Sequence, residues 1–536
     1  MARRSTHTRW RAALIGLVAV AAMVAAACTS DSDAASSDTT EVADGGAALT
    51  LADVEASTGD LNDIVKQAMS DTGIPGVSVA VVFDDQVVYT QGYGVKEEGT
   101  SQPVDAATVF QLASVSKPVG STVVAGLVGD GELEWTDTMQ SLDPSFELDD
   151  PYVSENVTVA DLYSHRSGLP GFTGNDLEYM GFDQATIFER MRYIPLTPFR
   201  ATYSYSNFGM SAAGVAAAGA AGMDFATAAD EVLFDPAGMT HSSFRNADFQ
   251  AQSNKALIHA KLGGKWVAEF QREADPQAPA GGVSSNAEDM ATWMRLQLGN
   301  GTLDGKEIID EDALGDTHRP MINNRPTTDP NQPASSYGLG WDVGQSEVDN
   351  QYVQFGHSGA FSVGAATVVK LYPQLGLGVT ILTNAQPIGV AEAMVDSYVD
   401  QLLHGEQTQD WMSVWQTRFA PVLAAPEYPE VTSPEPARDL DAYVGTYSND
   451  YFGDVRVVAV GDALQLQVGP TGATTWPVEH YDGDEFLYID SPEIEGAKSP
   501  LAFEFTGDGD RPATTLLLGT FDLAEGGPWM ELQRVG

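Results

Sequence analysis

Within the ten residues QLASVSKPVG, 111–120, Ser114 and Lys117 stand three apart. A serine hydroxyl is a weak nucleophile until a base takes its proton, and an amine within hydrogen-bond reach can do that. The surrounding segment LASVSKPVGSTVVAGLVGDGELEW supplies a helix: Val119, Val123 and Leu127 recur every four residues, and Gly131 stands where a helix would stop. If the helix begins near Ser114, Pro118 falls in its first turn, where a missing N–H is tolerated. Ser114 then sits at the positive end of the helix dipole, which favours developing negative charge, and Lys117 lies one turn on along the same face. A capping serine beside a solvated lysine has the same spelling, so the pair needs companions elsewhere in the chain.

Companions are present. The stretch YSYSNFG, 203–209, places Tyr205 and Asn207 as Y-x-N, and GHSGAFS, 356–362, places His357, Gly359 and Ala360 just ahead of a β-rich run. Other hydrolytic arrangements are missing from the sequence: it holds no G-x-S-x-G, H-E-x-x-H or other close histidine pair. No metal and no organic cofactor is implied. His165 in SHRSG reads as a structural loop residue lining the cleft, and Gly281-Gly282 as a close backbone fit, since nothing around it resembles a phosphate-binding loop.

Elements must carry these residues. LNDIVKQAMSDTGIPG has helical periodicity that ends at Gly73 and Pro75, and VSVAVVF and QVVYTQGYGV follow as two β-runs separated by Asp84-Asp85, a helix and then a hairpin. The stretch from about 110 to 330 is mainly helical with long loops. Ser285 and Glu288 have capping-box spacing ahead of the stripe Met290, Trp293, Met294 and Leu298, with Gly299 as the stop. Strands return at AATVVKLYP and LGVTILTNA. Strands at both ends of a helical region predict one α+β domain whose sheet joins distant parts of the chain. After about residue 405 a Pro-rich stretch, APVLAAPEYPEVTSPEPARD, reads as a linker. Beyond it, alternation dominates at Leu464, Leu466 and Val468, at Leu501, Phe503 and Phe505, at Leu516 and Leu518, and at Met530 and Leu532, predicting a small all-β barrel or sandwich.

The 536 residues carry 75 acidic and 27 basic side chains, a net charge of −48. Such a surface repels phosphate backbones and anionic headgroups, which argues against nucleic acid and against electrostatic membrane docking. Acidic surfaces with few lysines also accompany salty surroundings, a plainer reading than a cationic substrate. Arg3, Arg4, Arg9 and Arg11 head an apolar run from Ala12 to Ala27, too short for a permanent span. It stops at VAAAC, and this resembles the lipobox of prokaryotic lipoproteins, which implies cleavage before Cys28, acylation of its thiol and a lipid anchor on the extracytoplasmic face. Residues 28–55 read as a flexible tether. Cys28 is the one cysteine, so no internal disulfide is available.

The order S-x-x-K, Y-x-N, H-S-G resembles the serine β-lactamase and penicillin-binding-protein superfamily, in its branch of class C β-lactamases, D-aminopeptidases and esterases. LYSHRSGLPGF, PAGGVSSNAEDMATW and YGLGWDV fit that branch as well, and the resemblance spans residues 56–405. It implies an antiparallel sheet flanked by helices with an all-helical subdomain. By matching position, Ser114 would be the acylated nucleophile and Lys117 its activating amine. Tyr205 would be the general base, its phenol pKa lowered by the nearby cation, and Asn207 a partner of substrate amide or of Lys117. Ala360 would add its N–H to that of Ser114 as an oxyanion donor, beside Gly359.

His357 departs from the β-lactamase pattern, which has lysine there. Histidine, with an ordinary pKa of about 6.5, is a poorer anchor for a substrate carboxylate. The opening of the last domain, DLDAYVGTYSNDYFGDVRVV, resembles a lipocalin-like barrel found after the catalytic domain in some relatives, where it would cover the cleft or support oligomers; residues 406–437 join the two and 438–536 form the barrel. The expected protein is an extracytoplasmic serine hydrolase of peptide, amide or ester bonds with small-molecule or peptide substrates. Its alternatives are a β-lactamase or DD-peptidase, and a catalytically silent lipoprotein that binds cell-wall fragments.

Overall fold

The computed structural model describes residues 49–325, 335–506, 511–519 and 530–535. The expected signal segment, Cys28 and most of the expected tether lie outside the described residues. Helix α1 spans Leu51–Thr72. Thr50 caps it reciprocally: its hydroxyl accepts the Asp53 N–H at 3.3 Å, and the Asp53 carboxylate accepts the Thr50 N–H at 3.0 Å. Gly73, at φ 70°, ends it. Residues 51–55 therefore belong to this helix and not to a tether; their side chains are mostly exposed, and only Val54 is buried, so composition concealed the first turn.

Strands β1 (Gly76–Phe83) and β2 (Gln86–Gly94) form the expected hairpin. Asp84 and Asp85 have φ 50° and 62°, the left-handed pair that a two-residue turn of primed type needs and that Asp tolerates. The remaining strands of this sheet are β3 (Ile322–Arg325), β4 (Ser335–Tyr337), β5 (Asp342–Gln345), β6 (Val353–Phe361), β7 (Ala365–Tyr372) and β8 (Leu377–Thr383). They run antiparallel in the order β2-β1-β8-β7-β6-β5-β4-β3. β1 thus pairs with β8, Val77 opposite Thr383 and Phe83 opposite Leu377, and closes the domain across three hundred residues of chain.

Among the longer helices are α2 (Ser116–Gly129), α3 (Asn207–Ala220), α4 (Ala287–Leu298), α5 (Val390–His404) and α6 (Trp411–Phe419). β1, β7 and β8 are buried at every residue because both sheet faces are covered. Val77, Val79 and Val81 pack with residues of α1, α5 and α6, including Leu61, Met394 and Trp411. Ala80 and Val82, pointing the other way, join the core of α2, α3 and α4. Each such valine or leucine contributes about 1.5–3 kcal/mol by leaving water.

Two helix starts differ from the expected ones. α4 is capped by Asn286, whose Oδ1 accepts the Asp289 N–H at 2.8 Å, and not by Ser285 with Glu288. Ser285 is held in a short strand pair opposite Phe110, with its hydroxyl on that of Ser242 at 2.7 Å, so it is not free to cap. α2 begins at Ser116, and Ser114 precedes it in a 3-10 turn, Ala113–Val115.

The last domain is a closed barrel of eight antiparallel strands: β9 (Gly445–Asn449), β10 (Gly453–Val460), β11 (Ala463–Val468), β12 (Thr474–Asp482), β13 (Glu485–Tyr488), β14 (Ser499–Glu504), β15 (Thr515–Leu518) and β16 (Met530–Val535). Closure comes from β16 pairing back to β9, Val535 opposite Thr446, which leaves no unpaired edge. Leu464, Leu466, Val468, Leu501, Phe503, Leu516, Leu518 and Leu532 are buried, as the alternation predicts, whereas Phe505 and Met530 are only half-buried and β14 is buried at every residue from Ser499 to Phe503.

Candidate active site

Ser114 is placed by a strained turn. Ala113 has φ 48°, a conformation that costs an L-residue of order 1–3 kcal/mol and persists where neighbours over-determine it. Those neighbours are explicit: the Leu112 N–H donates to the Val283 carbonyl at 2.8 Å, the Leu112 carbonyl accepts from the Thr367 hydroxyl at 2.6 Å, and the Ser116 hydroxyl accepts the Val283 N–H at 2.9 Å. The turn leaves Ser114 part-exposed at the start of a helix whose next twelve residues are buried.

Lys117 is wholly buried, with its Nζ 3.2 Å from Ser114 Oγ, 2.7 Å from Asn207 Oδ1 and 2.9 Å from the Ala280 carbonyl oxygen. Burial drives its pKa well below that of an ordinary lysine. A neutral amine has two N–H groups and one lone pair. In its neutral form the amine would give those two N–H groups to the Asn207 and Ala280 oxygens and keep its lone pair for the Ser114 hydroxyl. Ala280 belongs to the PAGG phrase, and of the two glycines that follow it Gly282 is a close backbone fit, where a Cβ would lie 2.7 Å from the Ala278 Cα. Gly340 of YGLGW closes the other side of α2: at φ 87°, a Cβ there would lie 2.9 Å from the Lys117 carbonyl oxygen.

Tyr205 reaches the same hydroxyl. Its phenol is hydrogen-bonded to Ser114, and the Lys117 amine lies 4.4 Å from its ring centroid. The backbone around it is fixed by the 165–172 loop: Phe172 N–H donates to the Tyr205 carbonyl at 2.8 Å, Ser204 N–H to the His165 carbonyl at 2.8 Å, and Ser206 N–H to His165 Nδ1 at 3.2 Å. His165 is a loop residue, as its sequence setting suggests, and its ring contacts Tyr205 at 4.6 Å and Tyr337 at 4.9 Å between centroids. The lowered phenol pKa expected for Tyr205 is not found. Burial raises it, the Ser114 hydrogen bond only partly offsets this, and the Asp342 carboxylate adds to the rise. Lys117 is not among the causes that act on the phenol, and burial drives the pKa of the amine itself down.

β6 supplies the opposite wall. His357 is buried; its Nδ1 donates to the Ser358 carbonyl at 2.7 Å, leaving Nε2 to accept from the Tyr337 hydroxyl at 2.9 Å. Burial and the neighbouring Lys117 bring its pKa down to about 3, so it is neutral across the physiological range rather than partly charged. Gly359 is where β6 presses against the turn that carries Ser114: a Cβ would lie 2.2 Å from the Leu112 carbonyl oxygen and 2.3 Å from Thr367 Oγ1. Only glycine permits that approach. Ala360 follows on the exposed side of the strand. Asn207 opens α3, donating its Nδ2 to Asn175 Oδ1 at 3.3 Å.

The structure therefore brings Ser114, Lys117, Tyr205, Asn207, His357 and Gly359 to one locus. Asn175, Tyr337, Thr367 and the Ala280 carbonyl were missed in the sequence. Their roles depend on which atom faces the site, and no local pattern encodes that, although YGLGWDV and PAGG flagged two of the segments.

An antiparallel sheet between helices, with a serine, a buried amine and a tyrosine converging at a helix start, defines a serine-hydrolase fold of the β-lactamase and penicillin-binding-protein kind. The chain belongs to the β-lactamase family, whose model matches residues 61–403. A second model, a domain of unknown function, DUF3471, matches 429–532. The chain is similar to unguisins hydrolase ungD of Aspergillus violaceofuscus, 25% identical over 83% of this chain and 85% of that one. Among solved structures it resembles an octameric penicillin-binding protein homologue from Pyrococcus abyssi, with TM-score 0.55 at 18% identity, covering 89% of this chain and 99% of that one. It also resembles a class C β-lactamase from Rhodobacter sphaeroides, with TM-score 0.53 at 21% identity, covering 64% and 98%. At these identities the solved structures establish the fold alone.

Proposed function

We propose that this chain is an extracytoplasmic, lipid-anchored serine hydrolase that forms an acyl-enzyme on Ser114 and acts on peptide, amide or ester bonds. The observation that carries the chemistry is the set of contacts of the buried Lys117 Nζ, 2.7 Å from Asn207 Oδ1, 2.9 Å from the Ala280 carbonyl oxygen and 3.2 Å from Ser114 Oγ: a neutral amine that donates to the first two has its lone pair left for the third. Ser114 Oγ attacks the substrate carbonyl carbon while its proton passes to Lys117. The oxyanion forms beside the backbone N–H groups of Ser114 and Ala360. Tyr205, held as a neutral phenol, gives its proton to the leaving group and is reprotonated from Lys117. In the second half a water attacks the ester; Tyr205 takes the water's proton as it hands its own to Lys117, and Lys117 passes a proton to the departing Ser114 Oγ, which releases the acid product and restores both the serine and the neutral amine.

A neutral His357 with both ring nitrogens engaged offers no cationic seat for a substrate carboxylate. This supports peptide or ester substrates over antibiotics that carry one. A relative named as a hydrolase supports the reaction class. The anchor rests on the basic head, apolar run and Cys28 of the sequence.

The test is intact mass of the purified full chain after a fluorophosphonate and, separately, a penicillin, with Ser114→Ala beside it. The expected result is one fluorophosphonate adduct on the wild type and none on the variant. A lasting penicillin adduct would move the assignment to a penicillin-binding protein, and no adduct on folded protein would overturn the hydrolase in favour of a silent binding protein.

A further inference from the structure

The amide of Asn207 has two ends, and only its oxygen can accept a proton from Lys117. If it were turned over, its Nδ2 would donate into the lysine lone pair and divert it from Ser114. The observed orientation is held by Asn175, whose Oδ1 takes the Asn207 Nδ2 at 3.3 Å. Asn175, 7% exposed, opens a short helix, Asn175–Tyr179, and the residues on either side of it are gripped by one side chain from the other domain. Tyr451, in the β9–β10 hairpin of the barrel, accepts the Gly174 N–H at 2.9 Å and donates its hydroxyl to Asp176 Oδ1 at 2.6 Å. It is 2% exposed, and Arg190 Nη1 donates to its carbonyl at 2.9 Å, so the ring is fully inserted between the domains and fixed from behind. A path of hydrogen bonds with one backbone step therefore runs from the barrel to Ser114: Tyr451 holds Gly174 and Asp176, the backbone between them carries Asn175, and hydrogen bonds follow from Asn175 to Asn207, Lys117 and Ser114.

We propose that the barrel contributes a positioning residue to the active site, Tyr451, which sets the Asn207 amide so that the Lys117 lone pair faces Ser114. The inference rests on the serine-hydrolase reading of that site. It gives the barrel a share in catalysis that simple domain adhesion does not, because adhesion has no reason to act on the two residues flanking Asn175. A second contact holds the opposite wall: Ser362, two residues beyond Ala360, donates its hydroxyl to Glu493 of the barrel domain at 2.7 Å. The barrel thus braces both sides of the cleft.

The experiment compares the full wild-type chain with Tyr451→Phe, which removes the hydroxyl and keeps the ring, with Asn175→Ala, which removes the last link, and with Thr474→Ala. Thr474 donates to the Met180 carbonyl at 3.2 Å in the same interface but outside the relay. Readouts are fluorophosphonate labelling rate against pH, ester hydrolysis split into kcat and KM, and melting temperature. Tyr451→Phe and Asn175→Ala are each expected to slow labelling and lower kcat by about tenfold, the order expected for losing a hydrogen bond to a strongly polarised group. KM should stay within about twofold. The acid limb of the rate profile should move to lower pH, because an Nδ2 facing Lys117 disfavours the ammonium, while Tyr205, His165 and His357, the other groups facing it, are untouched. Thr474→Ala is expected to change melting temperature only. A wild type that labels while both relay variants keep its rate and acid limb would overturn this proposal alone. A shift shared equally by Thr474→Ala would reduce Tyr451 to domain adhesion and overturn it too. A wild type that takes no label would overturn the hydrolase reading and the relay with it. If Tyr451→Phe does not fold, Asn175→Ala decides.

Discussion

At the residue scale the site works by removing charge. Burial drives the Lys117 pKa well below that of an ordinary lysine and raises that of Tyr205, which in the proposed reaction favours an amine that takes a proton and a phenol that gives one. Both effects have one cause, the dry pocket formed by His165, Tyr337, His357 and the two backbone turns around them. Arginine cannot lose its proton in a protein, so Lys117→Arg is expected to abolish labelling of Ser114 as completely as Lys117→Ala, although it keeps the charge type. Loss of fluorophosphonate incorporation in both variants, by mass, is the check. In the wild type the labelling rate should rise with pH through a limb well below the ordinary lysine range, since the reactive form is the neutral amine. Ser114, Lys117, Tyr205 and Asn207 were legible from identity and order, because each is a chemical group that this reaction needs. The direction of the Tyr205 shift was not. It is decided by how much water reaches the phenol, and that depends on side chains drawn from four separate stretches of chain.

At the scale of elements, β6 is the piece on which the site turns. It carries His357 toward the cleft and places Gly359 hard against the 3-10 turn of the nucleophile. The side chain of Ser358, between them, points to the opposite face, where α5 lies. There Glu392 is 1% exposed, and burial pushes its carboxyl up to about 7, against weaker pulls from its own helix backbone, the Ser358 hydroxyl and Lys370. With a folded pKa above the unfolded value near 4.5, its stabilising contribution is complete below about 4.5 and is lost as pH rises through about 7. Glu392→Gln mimics the protonated form. It is expected to match the wild type at pH 4.5 and to exceed it in stability at pH 8 by a few kcal/mol, of order the free energy of charging a buried carboxyl. Urea unfolding at the two pH values measures the difference, and a constant offset between the proteins would refute it. The hairpin at Asp84-Asp85, the strand pair 365–383 and the barrel alternation were readable because their patterns are local. The start of α1 and the cap of α4 were not, since a reciprocal Thr50–Asp53 box and the diversion of Ser285 into a strand pair are settled by which competing partner wins.

At the scale of the whole molecule, two domains share one contiguous apolar cluster, from Val119 and Phe208 through Met180 to Tyr447 and Leu466 of the barrel. That continuity is why the barrel can act as a brace. The net charge of −48 sets a second property: self-repulsion across the surface opposes compaction and is screened by salt. The melting temperature is therefore expected to climb by several degrees between about 0.05 and 1 M NaCl, where the screening length falls from more than about 10 Å to about 3 Å. Scanning calorimetry across that range is the check, and a flat response would show that the acidic groups are already paired or far apart. The sequence by itself determined the sheet that closes between distant strands and an all-β last domain, because periodicity is written residue by residue, while the order of the motifs and the family they resemble pointed to the reaction class and to the barrel. Only the tertiary structure decided that Lys117 is wholly buried with its pKa driven down, that burial lowers the pKa of His357, that Gly359 is a contact and that Tyr451 of the barrel holds the residues on either side of Asn175. Each of these depends on the distance between atoms far apart in the chain and on the water excluded from between them.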